Sequence, residues 1–268
     1  MSILPLTHIS FDALAVAFND AFGDYPVPLS TTGEQLANMQ LRRGYVADAS
    51  FGAFEGERIV GFVLTCLDGD RAYNSGTGVA VSHRRHGIAR ELMLHTIEAL
   101  RARGAASYQL EVIESNDRAA ALYRNVGFEE RRRFQCWTFE ATQKVKTKEL
   151  ANADVDAIAK NADIELAWQN SVTSIRRAPE SHVVLGDERG AAIVFPRSGD
   201  LALLAVQRDA RRQGHGTHLL NAAATRAAKP IRILNIDDRD EGIAAFMSAA
   251  GAKPLVRQIE MTLSFRAA

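Results

Sequence analysis

The sequence predicts a mixed α/β protein built from two similar halves. A strand-like run, Val79–Val81, leads through a short basic turn containing a glycine into a helical pattern. The same order of strand, basic glycine turn and helix returns over Leu203–Gly216. In each half, antiparallel strand-like runs precede the turn, and a strand, a short helix and a last strand follow the long helix. A β–α–β–α–β unit fed by antiparallel strands gives a mostly antiparallel, mixed central sheet flanked by helices.

The first half begins with two helical patterns. Ser10 is placed to cap a helix over residues 10–22, whose apolar side chains share one face. A second helix is predicted from Thr31 to Arg43, with Glu34 completing a capping box. Strands are then predicted at Phe51–Phe54, Arg58–Thr65, Ala72–Val81, Tyr108–Ile113 and Phe134–Phe139, and helices at Gly87–Arg103 and Asp117–Asn125.

The second half repeats the pattern in shortened form. Residues 141–150 are polar and lack periodicity, so they are interpreted as a linker between domains at 1–142 and 143–268. Gly214 lies 127 residues after Gly87, and Gly251 lies 124 residues after Gly127, which predicts an internal duplication. The strands of this half are predicted at His182–Leu185, Ala191–Phe195, Leu201–Val206, Ile231–Ile236 and Gln258–Phe265, with helices from the glycine turn to about Ala228 and at Gly242–Ala250.

Composition excludes several classes of function. The 268 residues carry 32 Lys and Arg against 32 Asp and Glu, so no overall positive field favours nucleic acid or an anionic membrane. No apolar run is long enough to span a bilayer, and the start of the chain has no basic segment of a secretory signal. Cys66 and Cys136 lack metal-ligand spacing and are interpreted as reduced, half-buried thiols. We therefore expect a cytoplasmic protein with no metal.

The basic glycine turn is suited to bind a phosphate. In Arg84-x-x-Gly87-x-Ala89, the glycine allows close approach of the backbone, and the alanine keeps the first helical turn uncluttered. Free backbone N–H groups and the positive end of the helix dipole then face an anion. Solvated arginines in an ordinary turn are the alternative, and the recurrence at Arg211-x-x-Gly214-x-Gly216 argues against it.

These motifs resemble the pyrophosphate loop of the GNAT acetyltransferase superfamily. The first copy is followed by Leu110–Ala119, Leu122-Tyr123 and Gly127-Phe128, which is similar to the Asn-x-x-Ala-x-x-Leu-Tyr and Gly-Phe signature of that family. The resemblance is specific over about residues 50–140, and the layout is similar to that of tandem members such as mycothiol synthase. It implies two tandem GNAT-like domains and acetyl-CoA as cosubstrate. The residues expected to bind the coenzyme are Val79, Ala80, Val81, Arg84, Arg85, His86, Gly87, Ile88, Ala89, Arg90, Asn116 and Tyr123, with Arg211, Gly214 and Gly216 in the second copy.

Two residues of the first half are candidates for proton transfer. A phenol with a pKa near 10 at Tyr123 suits the protonation of a departing thiolate, and Glu111 suits the removal of a proton from an amine. The spacing of Glu111, Asn116 and Tyr123 is similar to that in bacterial ribosomal-protein alanine acetyltransferases. In those enzymes the glutamate serves as base and the tyrosine as acid. The alternatives are a core aromatic at position 123 and a solvated strand residue at position 111. Asn116 is suited to cap the short helix or to bind the pantetheine arm.

The second copy departs from this pattern. When Gly251 is aligned with Gly127, Met247 stands at the position of Tyr123 and Asp240 at the position of Asn116. On the preceding strand, Asn235 replaces Glu111. We therefore expect the second domain to bind CoA, or only to keep the fold, without transferring an acetyl group.

The acceptor amine is the least specified part of the site. The first two helices and their connection are expected to wall it, which involves Asp24, Tyr25 and the stiff segment 26–28. Asp24 suits an ammonium group. Arg42 and Arg43 suit a carboxylate, although arginine is also favoured at a helix C-terminus for its dipole alone. Arg131, Arg132 and Arg133 are interpreted as a solvated turn, or as partners of the coenzyme's adenosine phosphates.

Two functions from different classes follow. The first is an acetyl-CoA-dependent N-acetyltransferase, in which a primary amine of a small molecule, an amino acid or a peptide N-terminus attacks the thioester directly in a ternary complex. The second is a non-catalytic acyl-CoA-binding or interaction module. Dinucleotide-binding and P-loop motifs are absent from the sequence.

Overall fold

The chain divides into two compact units. The computed structural model describes residues 1–24, 30–151 and 153–266. Unit 1 comprises Met1–Val112, Asn116–Arg131 and Glu260–Ala268, and unit 2 comprises Ile113–Ser115 and Arg132–Ile259. Both units combine helices with a mixed sheet, so the α/β class expected from the sequence is confirmed.

Unit 1 holds the first four helices and the first five strands. The helices are α1 (Phe11–Phe22), α2 (Gly33–Arg43), α3 (Ile88–Ala102) and α4 (Asp117–Asn125). The strands are β1 (Ser2–Pro5), β2 (Phe51–Glu55), β3 (Arg58–Asp68), β4 (Arg71–Val79) and β5 (Ser107–Ile113), together with the start of β6 (Glu129–Phe139) and the end of β11 (Lys253–Ser264). Strands β1 to β4 are antiparallel neighbours, and β4 pairs in parallel with β5. Strand β1 was not expected from the sequence.

Helices cover the two faces of this sheet because its central strands are apolar on both sides. Phe62 of β3 packs with Leu14 and Phe18 of α1 in one cluster. On the opposite face, Gly61 lies so close to α3 that a Cβ atom would be 2.9 Å from Ile88. Residues 61 and 62 point to opposite faces, as successive residues of a strand must.

The caps of α1 and α2 show how the local sequence sets the helix starts. The Ser10 side chain accepts a hydrogen bond from the Ala13 amide at 3.2 Å, as predicted. The predicted capping box of Thr31 and Glu34 is wrong by one residue, since Thr32 and Gln35 form it. The Asn19 side chain bonds both the N–H and the C=O of Thr31, and these bonds precede the helix. The cap therefore falls at the next threonine.

Unit 2 repeats this architecture with four helices and the remaining strands. The helices are α5 (Val155–Ala159), α6 (Val172–Arg177), α7 (His215–Arg226) and α8 (Glu241–Ala250). The strands are β7 (Val183–Asp187), β8 (Gly190–Phe195), β9 (Asp200–Val206) and β10 (Ile231–Asp237), with most of β6 and the first part of β11. β7, β8 and β9 are antiparallel, β9 is parallel to β10, and β10 is antiparallel to β6.

The three consecutive arginines lie inside strand β6, so the prediction of a solvated turn there is wrong. The Arg132 side chain is 2% exposed and contacts the Asp237 carboxylate at 3.4 Å. Its guanidinium also lies 4.7 Å from the centre of the Phe134 ring. Arg131 pairs with Glu260 within unit 1, and Arg133 pairs with Glu114 within unit 2. Because each arginine is paired with a carboxylate, this basic segment can form a strand. The sequence does not indicate the strand, since the segment lacks alternating apolar residues.

The division into units differs from the linker-based boundary at 142. Residues 132–142 belong to unit 2, and the last strand, β11, supplies residues from 260 onward to unit 1. The physical reason is pairing: the Phe265 amide donates to the Ala106 carbonyl at 2.9 Å, and Gln109 contacts the buried Glu260. A polar segment can be located from composition, whereas the strand pairing that assigns residues from 260 onward to unit 1 cannot.

Candidate active site

In unit 1, β4 and β5 are paired over only part of their length, and the unpaired stretch between them is called the β4–β5 cleft here. Their parallel pairing covers Arg71–Asn74 against Ser107–Leu110 and then stops, although both strands continue. At the same level, β4 has a bulge, because Gly76 pairs with Leu64 and Asn74 with Thr65, which leaves Ser75 as the extra residue. The extra residue of the bulge directly precedes Gly76. A bulge and a splayed edge leave backbone N–H and C=O groups available to a ligand.

The basic glycine turn stands at the end of β4, at the mouth of this cleft. Arg85 and Gly87 both adopt positive φ, at 69° and 80°. Gly87 then caps α3 with no side-chain hydrogen bond to the first helical turn. Such a turn leaves the initial amides of the helix directed outward and forms a concave anion site. Arg85, His86 and Arg90 are exposed beside it.

The Arg84 side chain is used to hold this turn in place. Its guanidinium donates to both carboxylate oxygens of Asp24, at 2.6 and 2.8 Å, and to the carbonyls of Ala21 and Val79, at 2.7 and 3.3 Å. The hydrogen bonds from Arg84 lower the pKa of the Asp24 carboxyl. Arg84 therefore ties the loop to the end of α1, and Asp24, expected at the ammonium, is committed to Arg84.

Glu111 is the first residue of β5 past the paired section, and it is half-buried. The hydroxyl of Tyr73, from β4, donates to its Oε2. Burial, followed by the negative charge of Glu111, raises the pKa of Tyr73 well above its usual value. Tyr73 is thus a permanent donor near neutral pH, and it fixes one oxygen of the Glu111 carboxylate at the root of the cleft.

Tyr123 lies on α4, after the strand that carries Glu111. Asn116 caps this helix by accepting from the Ala119 amide at 3.2 Å, which is one of its two predicted roles. The Tyr123 ring is 7% exposed and packs at 5.9 Å from the Phe128 ring. Tyr123 therefore combines core packing with a phenol fixed by a short, capped helix.

The residues expected to wall the acceptor site are only partly placed. Tyr25 and the stiff segment 26–28 lie outside the described residues. Arg42 is buried. Arg43 donates to the carbonyl and the Oγ of Ser75, at 3.4 and 3.0 Å, and its guanidinium lies 6.0 Å from the centre of the Tyr73 ring. Arg43 thus links α2 to the bulge of β4.

Unit 2 reproduces the glycine turn in detail. Arg212 and Gly214 have φ of 60° and 84°, and Gly214 caps α7 without a side-chain hydrogen bond. Arg211 repeats the contacts of Arg84: it donates to the carbonyls of Val206 and Asn161, at 2.9 and 3.2 Å, and to the Asp163 carboxylate. Hydrogen bonds from Arg211 and then Arg208 lower the pKa of Asp163.

A cavity of about 610 Å³ lies within unit 2, between β9, β10 and α8 and beside the glycine turn. Gly214, Gly216, Asn235, Asp240 and Met247 are among its lining residues. Asp240 caps α8 by accepting from the Ile243 amide at 3.0 Å, which repeats the cap of α4 by Asn116. The two caps support the alignment that places Met247 at the position of Tyr123 and Asn235 at the position of Glu111.

Neither a metal cluster nor a membrane helix is found in the described part of the chain. Among those residues, no group of three or more His, Cys, Asp or Glu side chains is arranged to hold a metal ion. Within the same ranges, the helices lack the length and apolar character that crossing a bilayer requires. Cys66 and Cys136 are free thiols and are fully buried.

Sequence reasoning missed Tyr73, Ser75 and Asp163. Tyr73 is buried in β4, where a phenol cannot be distinguished from a core ring until its partner on β5 is known. Ser75 could be identified as the extra residue of the bulge only from the register of β3 and β4. Asp163 lies in a segment without a strong pattern, and its relation to Arg211 follows from comparing the two turns in three dimensions.

Comparison with known proteins identifies a family and individual proteins to which this chain is similar. Residues 14–128 match the acetyltransferase (GNAT) family. Ribosomal protein bS18-alanine N-acetyltransferase of Escherichia coli K12 is 33% identical over 101 residues, which are 38% of this chain and 60% of that protein. The chain thus matches about three fifths of the length of this curated relative.

Two solved structures share the fold over almost the whole chain. The GCN5-related N-acetyltransferase from Sphaerobacter thermophilus has a TM-score of 0.74 at 14% identity, covering 99% of this chain and 96% of that one. A tandem GNAT protein from the clavulanic acid biosynthesis pathway has a TM-score of 0.71 at 16% identity, covering 100% and 99%. The chain therefore shares its fold with these two proteins, one of which is a tandem GNAT protein.

Proposed function

From the GNAT acetyltransferase domain that residues 14–128 carry, we propose that unit 1 transfers an acetyl group from acetyl-CoA to a primary amine. The observation that carries this proposal is the glycine turn at the mouth of the β4–β5 cleft. Its positive-φ residues Arg85 and Gly87 lead into the amides of α3. Such a turn offers several hydrogen-bond donors and the helix dipole to a diphosphate.

The coenzyme is proposed to extend from this turn into the cleft. The diphosphate meets the amides of residues 87–90, while exposed Arg85 and Arg90 add positive charge nearby. Past Asn74, β4 is not paired with β5. The backbone groups of residues 75–79 that are not already bonded to Arg43, Asn74 or Arg84 can meet the amides of the pantetheine arm. Arg84 acts through the loop, since its guanidinium is bonded to Asp24 and to two carbonyls.

Transfer then needs two proton movements. The amine nitrogen attacks the thioester carbonyl carbon and forms the new C–N bond, and the C–S bond breaks. Glu111 takes the proton that the attacking amine loses. Tyr123 gives its phenolic proton to the departing thiolate. One proton is lost and one gained by the pair, so exchange with water restores both residues.

The acceptor is proposed to be a primary amine of a small molecule, an amino acid or a peptide N-terminus. The curated relative is named for a ribosomal protein alanine, which favours the last of these. Arg43 is bonded to Ser75 and so acts on the bulge that borders the cleft. A cytoplasmic location fits two free thiols.

Replacing Tyr123 by Phe should lower kcat by roughly 10²-fold or more and leave the Kd for acetyl-CoA nearly unchanged, because only the proton donor is lost. Turnover is measured by thiol release, and affinity by calorimetry. Tyr108→Phe is the matched control, since that buried phenol bonds Thr65 at 3.4 Å and has no assigned role in transfer. An unchanged kcat in Tyr123→Phe removes this residue from the mechanism.

The alternative function is a binding module that holds acyl-CoA without transfer. Thiol release from acetyl-CoA in the presence of amines, amino acids and peptides separates the two. Tight CoA binding without acceptor-dependent release across such a panel would establish the alternative.

Unit 2 is proposed to bind CoA through the second glycine turn without catalysing transfer. Two sites are then expected in calorimetric titration of the full chain with CoA. Ala89→Asp and Gly216→Asp place a carboxylate in the first turn of α3 and of α7, where it repels the diphosphate. Each should remove one site, and the double variant both.

Ala89→Ser and Gly216→Ser are the matched controls, because they introduce a similar side chain without charge. The second also tests the space beside Phe246, whose ring would be 3.3 Å from a new Cβ atom. A single site in the unmodified chain, lost in Ala89→Asp, would show that unit 2 only keeps the fold.

A further inference from the structure

The clefts of the two units differ in depth. In unit 1, β4 and β5 stay paired over four positions, up to Asn74 and Leu110. In unit 2, the parallel pairing of β9 and β10 is confined to Asp200 and Arg232. Both strands continue beyond that pair, to Val206 and Asp237. The parallel pairing of unit 2 is therefore shorter, and the cavity between its strands reaches Leu201 and Ile233, directly beside that pair.

The inner end of this cavity is apolar. Leu201 and Ile233 directly follow the last paired residues, and both line the cavity together with Leu203 and Met247. All four side chains are at most 5% exposed. An apolar chamber beyond the position of the acid and base suits a hydrocarbon chain, since burial of such a chain is favourable.

Asn235 adds a polar group to the same cavity. It is 3% exposed and adopts a φ of 55°. Its Oδ1 accepts from the Cys136 thiol at 3.2 Å, and its backbone N–H donates to the same sulfur at 3.3 Å. The Nδ2 donor has no hydrogen-bond partner among the described residues. A buried amide donor that lacks an acceptor is costly, so a carbonyl oxygen supplied by a ligand would satisfy it.

The groups required for transfer are replaced at this site. Met247 has no proton to give to a thiolate, and the neutral amide of Asn235 cannot take one from an amine. A thioester bound here would therefore keep its C–S bond.

We propose that the cleft of unit 2 binds an acyl-CoA with an acyl group longer than acetyl and keeps it intact. In this arrangement the chain occupies the chamber of Leu201, Leu203 and Ile233, and the Asn235 Nδ2 donates to the thioester carbonyl. The proposal rests on the assigned role of the second glycine turn in binding the diphosphate. Unit 2 would then bind an acyl-CoA without consuming it, in a chain whose unit 1 is proposed to consume acetyl-CoA.

The test uses the full chain carrying Ala89→Asp, so that calorimetry reports the unit 2 site alone. CoA, acetyl-CoA and hexanoyl-CoA are titrated in turn. We expect acetyl-CoA to bind about tenfold more tightly than CoA. Hexanoyl-CoA, which has four more methylene groups to bury than acetyl-CoA, should bind at least about tenfold more tightly again. After incubation with a primary amine, mass spectrometry should recover hexanoyl-CoA unchanged.

Asn235→Gly in the same background keeps the left-handed backbone and removes the amide. It should bring the affinities for acetyl-CoA and CoA within about twofold of each other, while CoA itself binds as before through the loop. If this variant fails to fold, the series of three ligands on the chain with Asn235 decides the question.

Equal affinity for the three ligands, tighter binding of acetyl-CoA than of hexanoyl-CoA, consumption of the thioester, or no binding at all would each overturn the proposal. Its failure is distinguishable from failure of the transferase function, because turnover by unit 1 is measured separately with the unmodified chain and acetyl-CoA.

Discussion

The first arginine of each glycine turn makes contacts that the sequence motif alone does not indicate. Arg84 and Arg211 stand at the same position of the two turns, and charge alone assigns them to a phosphate. The structure commits each guanidinium to a carboxylate and to backbone carbonyls. The planar fork of arginine can satisfy these acceptors together, which a lysine ammonium cannot do. The repeated residue therefore stabilises the loop, and the proposed binding of an anion is left to the backbone amides.

Asp237 gives a prediction at the same scale. Hydrogen bonds from Arg239, outweighing the opposing effect of burial, lower its pKa to about 2. A carboxyl group whose pKa is depressed on folding stabilises the protein above its unfolded pKa near 4, and this contribution is lost as pH falls towards 2. Asp237→Asn should therefore lower the free energy of unfolding of unit 2 by about 2 kcal/mol at pH 7 and by little at pH 2.

Urea unfolding at both pH values measures this difference. Asp209→Asn, at an exposed carboxylate of the same unit, is the control and should change neither value appreciably. An equal loss of stability at pH 7 and pH 2 would assign the effect of Asp237 to something other than its charge.

At the scale of elements, the sequence was informative wherever local chemistry decides the structure. The helix after each glycine turn begins where predicted, because Gly87 and Gly214 adopt the positive φ that the turn requires. The predictions for the start of α2 and for the arginine-rich part of β6 were wrong. These two features depend on contacts with Asn19 and with Asp237, which are distant in sequence. Tyr73 could not be assigned to the site for the same reason.

The contact between α1 and the sheet leads to a prediction at Gly78. A Cβ atom there would lie 2.5 Å from Phe62 Cζ and 2.8 Å from Ala21 Cβ. Gly78→Ala should lower the free energy of unfolding of unit 1 by about 1–3 kcal/mol, because a packed ring and a helix must move apart. Gly76→Ala is the matched control on the same strand, since its nearest neighbour would be 3.9 Å away. Equal unfolding midpoints for the two variants in urea would contradict this account of the contact.

At the scale of the whole molecule, the duplication could be predicted from two spacings of glycines. Which segments of the chain make up each unit could not be predicted. Repeated motifs locate the loops, the short helices and their caps, as Asn116 and Asp240 show. They do not reveal that the last strand serves both units, because strand pairing is decided by backbone hydrogen bonds over long separations. A boundary drawn at residue 142 therefore leaves unit 1 without residues 260–268.

A chain that ends at Ile259 tests whether unit 1 requires the residues from 260 onward. It lacks Met261 and Leu263, which are buried in unit 1, and Glu260, whose carboxylate is paired with Arg131 at 2.8 Å. Losing this much buried surface costs several kcal/mol, which is comparable to the stability of a domain of this size. We expect the shortened chain to lose acetyl transfer and to become sensitive to limited proteolysis within residues 1–131, while the calorimetric CoA site of unit 2 persists.

A chain that ends at Phe265 is the control for the shortening itself. It keeps the Phe265 amide that donates to Ala106 and removes the exposed ion pair of Arg266 with Asp70, whose contribution to stability is small. This chain should retain turnover and resist proteolysis like the full chain. If the chain ending at Ile259 also retained full turnover, residues 260–265 would not be part of the folded unit 1, and the independent domain of residues 1–142 expected from the linker would be the better description.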